Sequence, residues 1–280
     1  MTVSGSGIGA AVIPGAGAGI GAAVITGAGT GIGAAVARRL AAGGTPVVLT
    51  GRRPQPLRDV AADLGDAALV VPGDAGSAAD MTRVVQAAIA RFGGIGVLVA
   101  NAGGAGAGTA AGVDDAAWAQ ALHVNLTTCL VAARACLPEL IRSKGAIVVI
   151  SSIAGLAASP ESVGYVTAKH GMIGLARSMA RDFGPQGVRV NTVCPGWVRT
   201  PMADEEMDQL ASLRGLASRD DAYALATSQV PLRRPADAAE VAEVIAFLAS
   251  PQASAVTGAV LTADCGATAV DLPTVAYDVP

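Results

Sequence analysis

The sequence is poor in aromatic residues, in charges and in cysteines, and each shortage excludes a class of protein. Aromatic residues make up 3% and charged residues 15% of the 280 residues, and the formal net charge is -3. Because lysine and arginine form no cluster, the chain has no electrostatic surface of the kind that binds nucleic acid or a membrane. The four cysteines (Cys129, Cys136, Cys194 and Cys265) form no C-x-x-C pair and have no histidine at metal-ligand spacing. We therefore expect no metal site, and buried thiols in a reducing compartment.

Long apolar runs and a basic N-terminal segment are also missing. Glycine or charged residues interrupt every apolar run, so we expect no membrane-spanning segment. No lysine or arginine precedes Arg38, so the N-terminus lacks the charged start of a secretory signal. These absences favour a cytoplasmic protein that contacts neither membrane nor nucleic acid.

Apolar residues, which make up 52% of the chain, form short β-rich runs that alternate with helical segments. The predicted strands are Ala22–Ile25, Pro46–Thr50, Ala68–Val71, Gly96–Ala100, Ala146–Ile150, Val188–Val193 and Ala259–Thr262. This alternation predicts an α/β fold: a single-domain, doubly wound parallel sheet of the Rossmann type, with about seven strands and helices on both faces.

A twelve-residue repeat occupies residues 2–37, and two of its three copies carry the pattern G-x-x-x-G-x-G. The third copy supplies Gly27, Gly31 and Gly33 between a predicted strand and a predicted helix, the setting in which a glycine loop binds a pyrophosphate. If the second copy were the loop, its helix would contain four glycines, each costing about 1 kcal/mol in a helix interior. The third copy is therefore the predicted phosphate-binding loop.

The chain is predicted to divide into three parts. Residues 1–20 form a glycine-rich extension, which we expect to be flexible and to which the sequence assigns no role. Residues 21–268 form the folded domain, with a polar, helical lid at about residues 197–231. Residues 269–280 form an irregular tail.

Gly51-Arg52-Arg53 follows the second predicted strand, where dinucleotide-binding folds usually place a carboxylate that holds the adenosine ribose. An arginine there can instead pair with a 2′-phosphate through two hydrogen bonds. We therefore expect NADP(H) as the preferred cofactor. NAD(H) is the alternative if Arg52 and Arg53 are only solvated loop charges.

Tyr165 and Lys169 lie four residues apart in a predicted helix over about residues 162–183, so both face the same side. We expect the Lys169 ammonium to lower the pKa of Tyr165, whose phenol could then exchange a proton with an alcohol or ketone oxygen near neutral pH. Such a pair alone recurs by chance on solvated helices. Ser152, at the end of the fifth predicted strand, adds a second polar group thirteen residues upstream.

Taken together, these motifs resemble the short-chain dehydrogenase/reductase (SDR) family. The residues that carry the resemblance are Thr26-Gly27-x-x-x-Gly31-x-Gly33, Asn101-Ala102-Gly103, Asn125, Ser152, Tyr165-x-x-x-Lys169 and Pro195-Gly196. The resemblance covers about residues 21–268. It implies a ketoreductase-like oxidoreductase that interconverts a secondary alcohol and a ketone, acts on a small molecule, and assembles as a homotetramer or homodimer.

The resemblance also implies roles for single residues. Tyr165 would be the general acid/base, Ser152 would hold the substrate oxygen, and Lys169 would bind the nicotinamide ribose. Asn125, which the sequence places in a polar turn, would complete a water-linked proton path. The implied cofactor-binding residues are Gly27, Thr30, Gly31, Ile32, Gly33, Arg52, Asp74, Asn101, Ala102, Gly103, Lys169, Pro195, Gly196, Val198 and Thr200. Ile153, Val163 and Trp197 are expected to border the substrate, which favours a hydrophobic or aromatic carbonyl compound.

The sequence departs from the family pattern at two positions. Ala100 stands where the family usually has asparagine, and Cys265 stands where it usually has glycine, in a region near subunit contacts.

Three other functions stay open. Two belong to the same family: an NAD-linked alcohol dehydrogenase and a 3-oxoacyl thioester reductase. The third is a non-catalytic nucleotide-binding protein that keeps only the fold. Intact Ser152, Tyr165 and Lys169 argue against it, because nothing structural requires all three.

Overall fold

The computed structural model describes residues 21–277, so the expectations for residues 1–20 lie outside the described residues. Its strands are β1 (Ala22–Thr26), β2 (Val47–Thr50), β3 (Ala68–Val70), β4 (Ile95–Ala100), β5 (Ala146–Ile150), β6 (Arg189–Pro195), β7 (Val198–Arg199), β8 (Ala236–Asp237) and β9 (Val260–Ala263). Seven of them form one parallel sheet in the order β3-β2-β1-β4-β5-β6-β9. This is the predicted Rossmann-like sheet.

The helices lie on both sides of that sheet. They are α1 (Gly31–Ala42), α2 (Pro54–Ala62), α3 (Ala78–Phe92), α4 (Asp115–Leu122), α5 (Thr128–Ser143), α6 (Val163–Phe183), α7 (Pro201–Arg214), α8 (Arg219–Ala226) and α9 (Ala238–Ala249). All seven predicted strands are confirmed, with ends that differ by at most two residues.

Alternate residues of each central strand enter different cores, because side chains of a strand point to opposite faces. In β1, Ala23 and Ile25 pack in the core that α1, α2 and α9 cover. Ala22 and Val24 pack in the core that α3, α5 and α6 cover. Burial on both faces explains why these strands are continuous apolar runs.

The strand order reverses between β1 and β4, which are neighbours in the sheet but far apart in the chain. At such a switch point the loops after the two strands diverge and leave a crevice at the carboxyl ends of the strands. The loops that begin with Gly27 and Asn101 border this crevice.

Asp115–Ser143 is a stretch whose length and mean hydropathy of 1.3 would allow a membrane crossing. It consists of α4, a π-helical turn (His123–Thr127) and α5. Its residues Ala132, Cys136 and Leu140 are buried in the core against the sheet. The expectation that no segment reaches this length is therefore wrong, and packing on the sheet accounts for the apolar composition.

Asn125 lies inside the π-helical turn and is fully buried. The sequence placed it in a polar turn after a helix, and that placement is wrong. The helical pattern continues through this position, and the extra residue of the π turn points the amide into the protein.

The region predicted as a lid is helical and has a core of its own. Met207 and Ala211 of α7 pack against Ala222 and Tyr223 of α8. At its base, β7 and β8 pair in parallel, so the chain enters and leaves the region side by side. The tail, expected to be irregular, forms 3₁₀ turns at Ala267–Ala269 and Leu272–Tyr277.

The close approach of α4 to α6 depends on a glycine, and this can be tested. A Cβ atom on Gly164 would lie 2.6 Å from the Cβ atom of Ala121. We expect Gly164→Ala to lower the free energy of unfolding by about 1–3 kcal/mol, the usual cost of overpacking. Urea unfolding would measure it.

Gly174 provides the matched control in the same helix. It is exposed, and a Cβ atom there would meet nothing within 4 Å. Gly174→Ala should raise the free energy of unfolding by up to about 1 kcal/mol through helix propensity alone. Equal effects of the two substitutions would refute the packing argument.

Candidate active site

The end of β5 and the helix α6 are joined by two reciprocal hydrogen bonds. The Nζ of Lys169 donates to the carbonyl of Ile150 at 3.0 Å, and the Oγ of Ser151 donates to the carbonyl of Lys169 at 2.8 Å. Both side chains are buried. They fix the first turns of α6 against the end of the sheet, and therefore the position of Tyr165 relative to Ser152.

A glycine-rich loop holds the N-terminus of α6 from the other side. The backbone N–H of Tyr165 donates to the carbonyl of Gly106 at 3.2 Å, and that of Val163 donates to the carbonyl of Gly108 at 3.0 Å. A Cβ atom on Gly106 would lie 2.7 Å from the backbone nitrogen of Tyr165. The loop can approach this closely only because the glycine has no side chain.

The phenol of Tyr165 is mostly buried, and burial raises its pKa. A side-chain hydrogen bond with Ser152 acts in the opposite direction, whereas the carboxylate of Glu206 and the thiol of Cys194 raise the pKa further. The expectation that Lys169 lowers the pKa of Tyr165 is therefore wrong for this structure.

The position and environment of Lys169 explain that correction. Its Nζ lies 5.4 Å from the centroid of the Tyr165 ring and is engaged by the carbonyl of Ile150. Burial also lowers the pKa of Lys169 to about 8, with the neighbouring Cys129 and Cys194 opposing the change. Because the ammonium is engaged by this carbonyl and not by the phenol oxygen, it does not offset the effect of burial on the pKa of Tyr165.

Asn125 and Lys169 meet at the loop that follows β4. A Cβ atom on Gly103 would lie 3.0 Å from Oδ1 of Asn125 and 3.7 Å from Nζ of Lys169. Oδ1 of Asn125 accepts from the N–H of Gly104 at 3.1 Å, and its Nδ2 donates to the carbonyl of Ala121 at 3.0 Å. The amide therefore fixes this loop beside the lysine.

Thr26 joins the two loops that border the crevice. Its Oγ1 accepts from the backbone N–H groups of Asn101 at 3.0 Å and Ala102 at 2.9 Å. In return, Nδ2 of Asn101 donates to the carbonyls of Thr26 at 3.0 Å and Gly27 at 3.2 Å. The Asn101 amide therefore binds the backbone of the glycine loop, and its predicted contact with the cofactor stays a prediction.

The glycine loop lies between β1 and α1, and its shape leaves room for a ligand. A Cβ atom on Gly33 would overlap the carbonyl of Gly27 and lie 2.7 Å from Nδ2 of Asn101. Gly31 has a φ of 52° and begins α1, whose first N–H groups have no partner inside the helix. Thr30 is exposed at the N-cap position, while Ile32 packs against the core. The geometry fits a pyrophosphate at this helix terminus.

The first residues of the lid lie next to the glycine loop. A Cβ atom on Gly31 would lie 3.0 Å from Cγ2 of Thr200, and Oγ1 of Thr200 accepts from the N–H of Ala203 at the start of α7. Upstream, a Cβ atom on Gly196 would lie 3.0 Å from the Cα atom of Asp264. Pro195 ends β6, and Val198 is buried in the core.

The residues expected near the adenosine lie on the other side of the crevice. Arg52 and Arg53 are exposed after β2, and within residues 21–277 neither forms an ion pair. Asp74 is partly buried after β3, where Oδ1 accepts from the N–H of Gly76 at 2.8 Å. All three positions lie at the carboxyl ends of their strands, as predicted.

The expected substrate-bordering residues are half-buried. Ile153 follows Ser152, and Val163 begins α6, so both lie beside the Ser152–Tyr165 pair. Trp197 packs against the core of the lid.

Sequence reasoning missed Ser151 and Glu206. Ser151 is adjacent to a residue that was identified, whereas no motif marks Glu206.

Comparisons with known proteins extend over almost all of the described chain. The family described as enoyl-(acyl carrier protein) reductase matches residues 27–268. Protein MoaE of Klebsiella aerogenes is 48% identical over 245 residues, which are 86% of this chain and 93% of that protein. A 3-alpha-(or 20-beta)-hydroxysteroid dehydrogenase of Mycobacterium tuberculosis is 36% identical over 233 residues, which are 83% of each chain.

Solved structures share the fold as well. An actinorhodin polyketide ketoreductase with NADPH superposes with a TM-score of 0.82 at 34% identity, over 88% of this chain and 96% of that chain. The family match over residues 27–268 contains the glycines of the predicted loop and the positions of Ser152, Tyr165 and Lys169.

The buried ammonium of Lys169 should make stability depend on pH. A pKa lowered by burial from 10.5 to about 8 means that the charged amine destabilises the fold fully below pH 8, and that this cost disappears as the pH rises toward 10.5. We compare the free energy of unfolding of Lys169→Met with that of the wild type at each pH. The difference should favour the variant by about 2 kcal/mol more at pH 7 than at pH 10. Urea unfolding at both pH values measures the difference.

Lys144 supplies the control, because it is exposed and Lys144→Met removes no buried charge. The difference in free energy of unfolding between Lys144→Met and the wild type should therefore be nearly the same at pH 7 and pH 10. A Lys169→Met difference that stays constant with pH would contradict the assignment of a buried, charged amine.

Proposed function

The chain belongs to the short-chain dehydrogenase/reductase family and is an NAD(P)-dependent oxidoreductase, and from this premise we propose that it interconverts a secondary alcohol and a ketone with NADP(H). The observation that carries the proposal is the placement of Tyr165 and Lys169 on one face of α6, with Nζ of Lys169 5.4 Å from the centroid of the Tyr165 ring and held by the carbonyl of Ile150, and with Ser152 close enough to lower the pKa of the phenol. When bound, NADP(H) exchanges a hydride with the substrate carbon; the protein manages the proton and the geometry.

Ser152 and Tyr165 would act on the substrate oxygen. Ser152 donates a hydrogen bond to that oxygen, and Tyr165 gives a proton to the alkoxide as it forms. Because burial raises the pKa of Tyr165, the phenol is protonated at neutral pH. The protonated phenol is the form that ketone reduction requires, and the reverse reaction at the same site would require the phenolate.

Lys169 and Asn125 would complete the site around the nicotinamide ribose. The Lys169 ammonium donates to the ribose hydroxyls in addition to the carbonyl of Ile150, and Asn125 keeps Gly103 and Gly104 beside it. Proton resupply to Tyr165 would pass through the ribose hydroxyl, Lys169 and water held near Asn125. Positioning, rather than a lowered pKa of Tyr165, is therefore the proposed role of the lysine.

Arg52 supports NADP(H) over NAD(H). It is exposed after β2 and has no ion-pair partner within residues 21–277, so its guanidinium is free to bind a 2′-phosphate. The actinorhodin ketoreductase, which has a similar structure, carries NADPH. An NAD-linked dehydrogenase and a 3-oxoacyl thioester reductase remain the alternatives within the family. Cytoplasmic location and assembly as a homotetramer stay predictions.

Replacing Tyr165 by phenylalanine tests the role of the phenol. We expect kcat for NADPH-dependent ketone reduction to fall at least about 100-fold, because general acid catalysis contributes that much. Binding of NADPH, followed by nicotinamide fluorescence, should remain close to that of the wild type. Tyr277→Phe makes the same change at an exposed residue and should leave kcat unchanged. Retained turnover in Tyr165→Phe would exclude the proposed chemistry.

Charge reversal at Arg52 tests the cofactor preference. We expect Arg52→Asp to lower the ratio of kcat/KM for NADPH to that for NADH by about 100-fold, because a charge-assisted hydrogen bond is replaced by repulsion. Arg58→Asp places the same charge change on an exposed position of α2 and should alter the ratio far less. An unchanged ratio in Arg52→Asp would remove the basis for NADP(H).

A further inference from the structure

The turn that follows β9, residues 264–268, is organised by one buried carboxylate and is called the Asp264 turn below. Asp264 is 7% exposed. Its Oδ1 accepts from the N–H of Gly266 at 3.0 Å. Its Oδ2 accepts from the N–H of Thr268 at 2.8 Å and from the hydroxyl of Thr268 at 2.7 Å. Within residues 21–277 the carboxylate forms no ion pair. Because a buried carboxylate is costly without hydrogen bonds, the shape of the turn depends on these three.

The Asp264 turn contacts the chain where it enters the lid. β9 is the neighbour of β6 in the sheet, and Pro195 at the end of β6 pairs with Ala263. The N–H of Gly196 donates to the carbonyl of Ala263 at 3.2 Å. A Cβ atom on Gly196 would lie 3.0 Å from both Cα and Cβ of Asp264. The chain that enters the lid therefore lies in close contact with Asp264.

The same turn contacts the chain where it leaves the lid. The N–H of Leu232 donates to the carbonyl of Cys265 at 3.2 Å. A Cβ atom on Gly266 would lie 2.8 Å from Cγ of Pro231. β7 and β8 join the two ends of the lid to each other. The Asp264 turn joins both ends to the main sheet, because it follows the edge strand β9.

The lid segment that starts at Gly196 leads directly to the glycine loop. Thr200 lies four residues after Gly196 and is the N-cap of α7. Its Cγ2 would lie 3.0 Å from a Cβ atom on Gly31, which begins α1. The N-terminus of α1 is the place where a pyrophosphate fits. Because the segment between the two contacts is short, a shift of the Asp264 turn would move Thr200 relative to the cofactor crevice.

We propose that Asp264 is a positioning residue for cofactor binding. Its carboxylate fixes the Asp264 turn against both ends of the lid, and the turn sets the distance between Thr200 and the glycine loop. Asp264 acts through these backbone contacts and not by touching the cofactor. The inference rests on the proposed function, because the cofactor whose binding it concerns is NADP(H).

Replacing Asp264 by asparagine tests the inference. The amide oxygen can still accept from the N–H of Gly266, but the amide NH₂ group cannot accept from Thr268. We expect Kd for NADPH, followed by nicotinamide fluorescence, and KM for NADPH each to rise about tenfold, because hydrogen bonds to a charged group are lost. For ketone reduction, kcat should change less than about threefold, since the variant alters cofactor binding and not the reacting groups on β5 and α6.

Variants of Thr268 test the same hydrogen bond from its donor side. Thr268→Val removes the hydroxyl and should raise Kd for NADPH about threefold, the effect of one neutral donor. Thr268→Ser keeps the hydroxyl and should restore the wild-type Kd. Thr274→Val is the matched control, because the Thr274 hydroxyl donates to the carbonyl of Asp271 in the tail. Its Kd should equal that of the wild type.

The outcomes distinguish a positioning role from a purely structural one. A lower free energy of unfolding in Asp264→Asn with unchanged Kd and KM for NADPH would overturn the inference and leave the proposed function intact. So would a loss of affinity that coincides with a changed oligomeric state in size-exclusion chromatography. If Asp264→Asn does not fold, the Thr268 variants decide, and equal Kd values for Thr268→Val and Thr268→Ser would overturn the inference. Failure of the wild type to reduce any ketone would overturn the proposed function, whereas the NADPH-binding comparison would still test Asp264.

Discussion

The reciprocal hydrogen bonds between the end of β5 and α6 are the constraint on which the site depends. The Nζ of Lys169 donates to the carbonyl of Ile150, and the Oγ of Ser151 donates to the carbonyl of Lys169. Each bond uses a buried polar side chain, which would be costly without its partner. Together they hold a helix against the edge of a parallel sheet, so that the tyrosine one turn before Lys169 meets the serine that follows Ser151.

The lid is attached to this frame as a separate unit. β7 and β8 join its two ends, its helices share a core around Met207 and Tyr223, and Arg219 ties α8 to the acidic face of α7. Thr200, at the start of α7, approaches the glycine loop at Gly31. A unit with its own core and a narrow base can change its position over the crevice without losing its internal contacts. Glu206 would move with it.

Much of the fold and of the site follows from local sequence rules. The strands are short apolar runs, several of which are followed directly by glycine, asparagine or serine. The register of the glycine repeat is decided by the cost of glycine in a helix. The position of Asn125 was harder to predict, because a π-helical turn inside a long helix does not alter the apolar pattern of the sequence. The effect of Glu206 on the pKa of Tyr165 could not be predicted, since it depends on where the lid lies relative to α6.

The protonation of Tyr165 shows why spacing alone misleads about electrostatics. A lysine four residues away predicts a lowered pKa for the phenol if both groups are solvated on a helix surface. In the structure Lys169 is buried and Tyr165 is largely buried, so desolvation raises the pKa of the phenol and lowers that of the amine. The polar groups that remain near the phenol are the Ser152 hydroxyl, which favours the phenolate, and the Glu206 carboxylate, which opposes it. The pKa of the phenol therefore follows its burial and not the four-residue spacing of the lysine.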